Sequence, residues 1–122
     1  MWLLELIYMP QDFSIKVKFW IEKKGVSILG PGRIAILEAI DRTGSLTEAT
    51  KECNISFRKG WKLITEINEQ LEQPVVISER GGTGGGGKTW LTEYGKKLIQ
   101  QYRAIQKELI SVANDSEIWV IK

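Results

Sequence analysis

The 122-residue sequence predicts an α+β fold: a β-hairpin, three helices, a strand pair around a glycine-rich loop, and one long final helix. Three observations predict it. The hydrophobic period is two from Asp12 to Glu22, and it becomes helical after Gly30-Pro31-Gly32. Half of the 12 glycines then fall within residues 81–88, between two β-prone stretches. The length fits a single domain over 1–122, and 43% hydrophobic with 26% charged residues is the balance of a folded protein.

The elements follow in chain order. Phe13, Ile15, Val17, Phe19 and Ile21 share one face of a strand, with Ser14, Lys16, Lys18, Trp20 and Glu22 on the other. Lys23-Lys24-Gly25 is a turn candidate from which Val26 to Leu29 returns, so a hairpin is expected over 12–29. Three helices are expected over 31–73. Ile34, Ile36, Leu37 and Ile40 stripe the first, and Gly44 stops it. Ser45, with Glu48 three residues on, opens the second in a capping-box pattern. Leu46, Ala49 and Cys53 form its inner stripe, and Asn54 marks a tight turn. Ser56 caps the third, with Gly60, Ile64, Ile67 and Leu71 at spacings of three and four, and Gln73-Pro74 ends it. Strands at Val75 to Ser78 and Thr89 to Leu91 make a wing over 74–92. Thr92 caps a long helix over 92–114, and residues 115–122 form a tail or a strand at Ile118 to Ile121. Two short helices joined by a tight turn, over 45–72, and then a β-hairpin make a winged helix-turn-helix.

Composition removes several function classes. With no histidine there is no Ser-His-Asp or Cys-His catalysis and no His-ligated zinc. The lone Cys53 excludes an intramolecular disulfide or a cysteine cluster and suits a cytoplasmic location. No catalytic residue, metal or cofactor is expected. Met1 to Met9 is apolar but carries Glu5 and lacks a basic leading region, so it is expected to pack on the domain or to trail as a tail. No stretch approaches the ~18 apolar residues of a membrane span, and no membrane partner is expected. The net charge is only +2, so a nucleic-acid surface requires local concentration of cations.

That concentration occurs at Ser56-Phe57-Arg58-Lys59-Gly60-Trp61-Lys62, three cations without an anion, at the start of the third helix. In helix-turn-helix proteins this is the part that enters the major groove. The acids Glu66, Glu69 and Glu72 come later. Arg58, Lys59, Lys62 and Thr65 are candidates for the groove and Ser56 for a phosphate. Arg80, Thr83 and Lys88 are candidates for the DNA backbone from the wing, where glycines permit close approach. The bland alternative is a solvated basic helix.

Gly30-Pro31-Gly32-Arg33, Leu37 to Ile40, Gly44-Ser45, Ile55-Ser56-Phe57-Arg58, Trp61, Glu66 to Asn68, Gly81 to Gly87, and Leu91-Thr92 with Gly95 carry a resemblance. From about Lys16 to Arg103 the chain resembles the N-terminal DNA-binding domain of ModE-type molybdate-responsive regulators, relatives of the LysR-type winged helix. The resemblance implies a transcriptional regulator that binds double-stranded DNA and dimerises through its long helix. Such regulators usually continue into a molybdate-binding domain, which this chain ends too early to hold, so molybdate binding by this chain is not expected.

The glycine loop has a rival reading. Gly82 to Thr89 fits the phosphate-loop pattern G-x-x-x-x-G-K-T. That loop works where a helix opens at its Lys-Thr, whereas Thr89-Trp90-Leu91 is β-prone and helix begins only at Thr92. The context argues against nucleotide binding.

Leu98, Tyr102, Ile105, Leu109 and Val112 lie at coiled-coil spacing on the last helix and are candidates for a homodimer seam, the alternative being that the N-terminal hairpin and Ile118 to Ile121 fold back over them. Trp61 is expected either to face DNA or to pack under the wing, with packing slightly favoured, Trp90 to lie in the wing's core, and Cys53 to be small and buried. The main alternative to DNA binding is a winged helix used as a protein-interaction module, partnering a separate molybdate-binding protein.

Overall fold

Most changes of hydrophobic period in the sequence coincide with element boundaries in the structure, a computed structural model that describes residues 12–79 and 87–115. The order is β1 (Ile21–Lys23), β2 (Val26–Leu29), α1 (Pro31–Thr43), α2 (Leu46–Glu52), α3 (Phe57–Gln70), β3 (Val76–Glu79), β4 (Lys88–Leu91) and α4 (Glu93–Asn114). The fold is α+β, with four helices and two small antiparallel sheets among the described residues. Segments 1–11, 80–86 and 116–122, which include the apolar leading stretch, most of the glycine loop, Arg80, Thr83 and the expected strand at Ile118 to Ile121, lie outside the described residues.

Local chemistry sets the boundaries. Lys24 and Gly25 both take positive φ, 51° and 83°, as a two-residue connection between antiparallel strands requires. Pro31 is the first residue of α1, where its missing N–H costs nothing. Gly44, at φ 68°, closes α1 and donates its N–H to the Ile40 carbonyl. The Ser45, Ser56 and Thr92 hydroxyls accept the N–H groups of Glu48, Lys59 and Gly95, capping α2, α3 and α4.

The core gathers around α1. Ile34, Ile36, Leu37 and Ile40 are wholly buried. Against them lie Leu46 and Ala49 of α2, Ile64 and Ile67 of α3, Val75, Val76 and Leu91 at the second hairpin, and Tyr102 of α4. Each such side chain contributes about 1.5–3 kcal/mol by leaving water. α2 and α3 cross at Gly60, where a Cβ would stand only 2.2 Å from Thr50 Cγ2. Glycine is what lets the two helices approach there.

Three expectations need correction. The strand expected from Asp12 to Glu22 contributes only Ile21 to Lys23, because β2 ends at Leu29 and, among the described residues, nothing else pairs with residues 12–20. The alternation survives as burial: Ile15, Val17, Phe19 and Ile21 are partly buried while Lys16, Lys18 and Trp20 are exposed. α3 ends at Gln70, not at Gln73-Pro74, since Leu71 turns to extended geometry (φ −114°, ψ 160°) and packs on the core. Trp90 is not core: β4 turns Thr89 and Leu91 inward, so Trp90 faces out beside Ile77 at 37% and 39% exposure. Cys53, at the end of α2, is partly buried. No helix among the described residues is long and apolar enough to cross a membrane.

Candidate nucleic-acid interface

α3 turns Gly60, Ile64 and Ile67 inward with Leu63 partly buried beside them, so Phe57, Arg58, Lys59, Trp61 and Lys62 face outward. Arg58, Lys59 and Lys62 are exposed, and Thr65 is partly so. With Ser56, Leu63 and Glu66, the three cations line an open depression of about 410 Å³. Four of the sequence-derived candidates, Ser56, Arg58, Lys59 and Lys62, thus meet at one place. Ser56 accepts the Lys59 N–H at 3.1 Å, which leaves its own hydroxyl proton available. Thr65 donates its proton to the Trp61 carbonyl at 2.8 Å.

The charge pattern is asymmetric. No ion pair to Arg58 or Lys59 forms among the described residues, and Lys62 reaches Glu66 only at 3.9 Å. Glu66 is also held from the opposite side. Arg33, at the start of α1 and only 16% exposed in its side chain, donates to Glu66 Oε2 at 2.9 Å. It also donates to Gln70 Oε1 at 2.5 Å and to the Ile28 carbonyl at 2.7 Å. One guanidinium therefore ties β2, α1 and α3 together and neutralises the nearest acid beside the basic face.

A second brace sets α3 against the hairpin β3–β4. The Asn68 side chain accepts the N–H groups of Val75 and Val76 at 2.8 and 3.1 Å and donates to the Val76 carbonyl at 2.9 Å. Thr89 donates its N–H to the Gly44 carbonyl at 3.1 Å, joining β4 to the α1–α2 turn. Thr92 donates its hydroxyl to the Pro74 carbonyl at 2.7 Å. Neither Arg33 nor Asn68 was assigned a role from sequence. The side-chain partners of Arg33 lie 33 and 37 residues away and the backbone partners of Asn68 seven or eight, beyond what helical or strand periodicity registers.

The remaining candidates divide. Lys88 is exposed at the start of β4 and stands opposite Glu79, an acid the sequence reading had not weighed. Arg80 and Thr83 lie outside the described residues. Trp61, expected under the wing, is instead half exposed at 50%, with Phe57 at 52%, because the inward face of α3 is already filled by Gly60, Ile64 and Ile67.

On α4 the supposed seam splits. Tyr102 is a core residue: it stacks on Phe19 with ring centroids 4.3 Å apart and donates its hydroxyl to the Phe19 carbonyl at 2.8 Å. Leu98 also packs on the core. Ile105, Leu109 and Val112 face outward at 37%, 42% and 72% exposure. Arg103 forks onto Glu38 of α1, with Nε to Oε2 at 2.9 Å, and holds the middle of α4 against the core.

No family model matches the chain. Over 80 residues it is 40% identical to the molybdenum transport protein ModE of Azotobacter vinelandii, covering 66% of this chain and 29% of that one. Over 90 residues it is 38% identical to the DNA-binding transcriptional dual regulator ModE of Escherichia coli K12, covering 71% and 34%. It is also 37% identical over 97 residues to the molybdenum-pterin-binding protein MopB of Rhodobacter capsulatus, covering 80% and 35%. The chain thus spans about a third of the length of the curated relatives it matches. Among solved structures it resembles ArgP from Mycobacterium tuberculosis, with a TM-score of 0.50 and 19% identity over 66% of this chain and 29% of that one. At that identity the likeness is one of fold alone.

Proposed function

We propose that this chain is a winged-helix unit of a transcriptional regulator, that it binds double-stranded DNA as a homodimer, and that α3 is its reading helix. The observation that carries the reading is the outward face of α3. There Arg58, Lys59 and Lys62 stand exposed on a helix braced from behind by Arg33, Gly60 and Asn68, while the nearest acid is bound away. A polyanion fits that face, and the positive end of the helix adds to it. In this reading Arg58, Lys59, Lys62 and Thr65 meet base edges and Ser56 a phosphate. The hairpin β3–β4 is the wing, whose Lys88, with Arg80 and Thr83, follows the DNA backbone.

The names of the relatives support regulation of transcription, and those that mention molybdenum favour a response tied to that metal. A second reading draws on the molybdenum-pterin-binding name of MopB: a winged helix acting as a protein-interaction module beside a separate molybdate-binding protein.

Fluorescence anisotropy on labelled duplexes separates the two. DNA binding is expected to weaken with salt, log affinity falling with log salt by a slope of about −0.9 for each phosphate neutralised. Absence of duplex binding even at low salt would favour the interaction module.

A further inference from the structure

We propose that Phe57, Trp61 and Thr65 form an apolar reading ridge on α3 that recognises the 5-methyl groups of thymine in the major groove. The proposal rests on α3 being the helix that enters duplex DNA, and it names what that helix reads. Residues four apart on a helix stack along one line of its surface. Two such lines run side by side on the outward face of α3: Phe57–Trp61–Thr65, and Arg58–Lys62–Glu66. The second carries the charge already described.

The first line is apolar outside the core of the described residues. Phe57 and Trp61 are 52% and 50% exposed, and neither belongs to the core or to the side chains packed against it. A single exposed apolar side chain is ordinary on any protein surface. Two large aromatics in register, beside a row of cations, are a patterned surface. Thr65 extends the line, because its hydroxyl donates its only proton to the Trp61 carbonyl at 2.8 Å. Toward a ligand it therefore offers a methyl group and lone pairs, and no donor.

The neighbouring row decides what covers the ridge. Arg58, Lys59 and Lys62 call for a polyanion, and the ridge must meet whatever apolar group that polyanion exposes. In the major groove of a duplex, base edges offer hydrogen-bond donors and acceptors, and the one apolar group they present is the thymine methyl. Cations on phosphates or guanine, with aromatics on methyl groups one helical row away, form a single two-row readout.

The test uses a duplex selected on the wild-type protein from a randomised pool, with its thymines replaced singly by deoxyuridine, which lacks only the methyl group. Affinity is expected to fall about fourfold at one or two positions, the value of one buried CH₂-sized group. Phe57→Ala and Trp61→Ala should erase that thymine-to-uracil difference at their own positions while leaving the response to changed guanines intact. Sequence-specific binding that is indifferent to deoxyuridine everywhere would overturn the ridge and leave the DNA-binding reading standing. So would a methyl preference that both variants retain. Tighter binding to single-stranded oligo-dT and oligo-dU alike than to the duplex would mean that the aromatics stack on bases, and overturns it too. Failure to bind any duplex would remove the ridge together with the reading beneath it.

Discussion

Tyr102 carries a hydroxyl into the interior at 1% exposure, where its proton must be donated to a partner, and the Phe19 carbonyl at 2.8 Å is that partner. Burial pushes the phenol up from its ordinary value of 10.0, with the Arg103 guanidinium, 5.8 Å from the ring centroid, pulling the other way. A group whose folded value is raised contributes stability that is complete below its unfolded value and is lost as pH climbs through the folded one. The wild-type urea midpoint is therefore expected to decline above about pH 10, which is the unfolded tyrosine value. Tyr102→Phe keeps the stack on Phe19 but loses the hydrogen bond, so it should cost about 1 kcal/mol at neutral pH. It should also show a shallower alkaline decline than the wild type. Parallel alkaline arms in the two proteins would mean that the Tyr102 proton is not what the fold protects. Spacing alone assigned Tyr102 to an outward seam, because a period of three and four marks which residues share a helix face and not what that face meets. Arg33 shows the same limit from the other side. As a charged residue at a helix start it looks like surface, yet its three acceptors, Ile28, Glu66 and Gln70, come together only once the chain has folded.

At the scale of elements, the sequence was most legible where local chemistry and burial agree. Ser45, Ser56 and Thr92 each cap a helix as their spacing implied, and Gly44 and Asn54 take positive φ, 68° and 56°, at the expected turns. It was least legible where an element depends on a distant partner. Residues 12–20 alternate like a strand but have no neighbour to pair with among the described residues, and Trp90 reads as core only until the register of β4 shows which side faces in. The same distinction governs α3 and the hairpin β3–β4 in the DNA-contacting roles proposed for them. Arg58 lies on a helix braced at three points, so it can hold a fixed angle to a base edge, whereas Lys88 sits at the end of a four-residue strand and is suited to a phosphate. Arg58→Ala is expected to cost roughly 1–3 kcal/mol of binding and to relax discrimination at one base pair. Lys88→Ala is expected to weaken all duplexes about equally and to lower the salt slope by about one contact. A panel of single-base-pair variants titrated with both proteins distinguishes them. Equal, sequence-blind losses would mean that α3 does not read bases.

Among the described residues, the far half of α4 carries an apolar stripe that the core does not cover. α4 has 22 residues and so runs about 33 Å, farther than the small core it leans on. Its first half is anchored by Gly95, whose Cβ would lie 2.5 Å from the Val75 carbonyl oxygen, and then by Leu98, Ile99, Tyr102 and the Arg103–Glu38 fork. Beyond Arg103 no further side chain of α4 belongs to the core cluster of the described residues, and Ile105, Leu109 and Val112 continue the four-and-three spacing on an exposed face. Each Å² of that stripe left in water forgoes about 25 cal/mol. In the proposed homodimer a second copy of the same helix, related by a two-fold axis, would supply a matching stripe, since a two-fold interface pairs the same patch with itself. The arrangement also suits duplex DNA, because two α3 helices held about one DNA turn apart would face successive major grooves and raise the effective affinity by orders of magnitude. Sedimentation equilibrium at tens of micromolar is therefore expected to give a dimer, and the double substitution Ile105→Asp with Leu109→Asp a folded monomer. That monomer should bind a palindromic duplex at least about a hundredfold more weakly than the dimer does. Both residues are exposed in the single chain, so their loss should leave its circular dichroism unchanged. A wild-type monomer with DNA affinity indifferent to the two aspartates would remove the two-fold arrangement and leave α3 to act as a single reading helix.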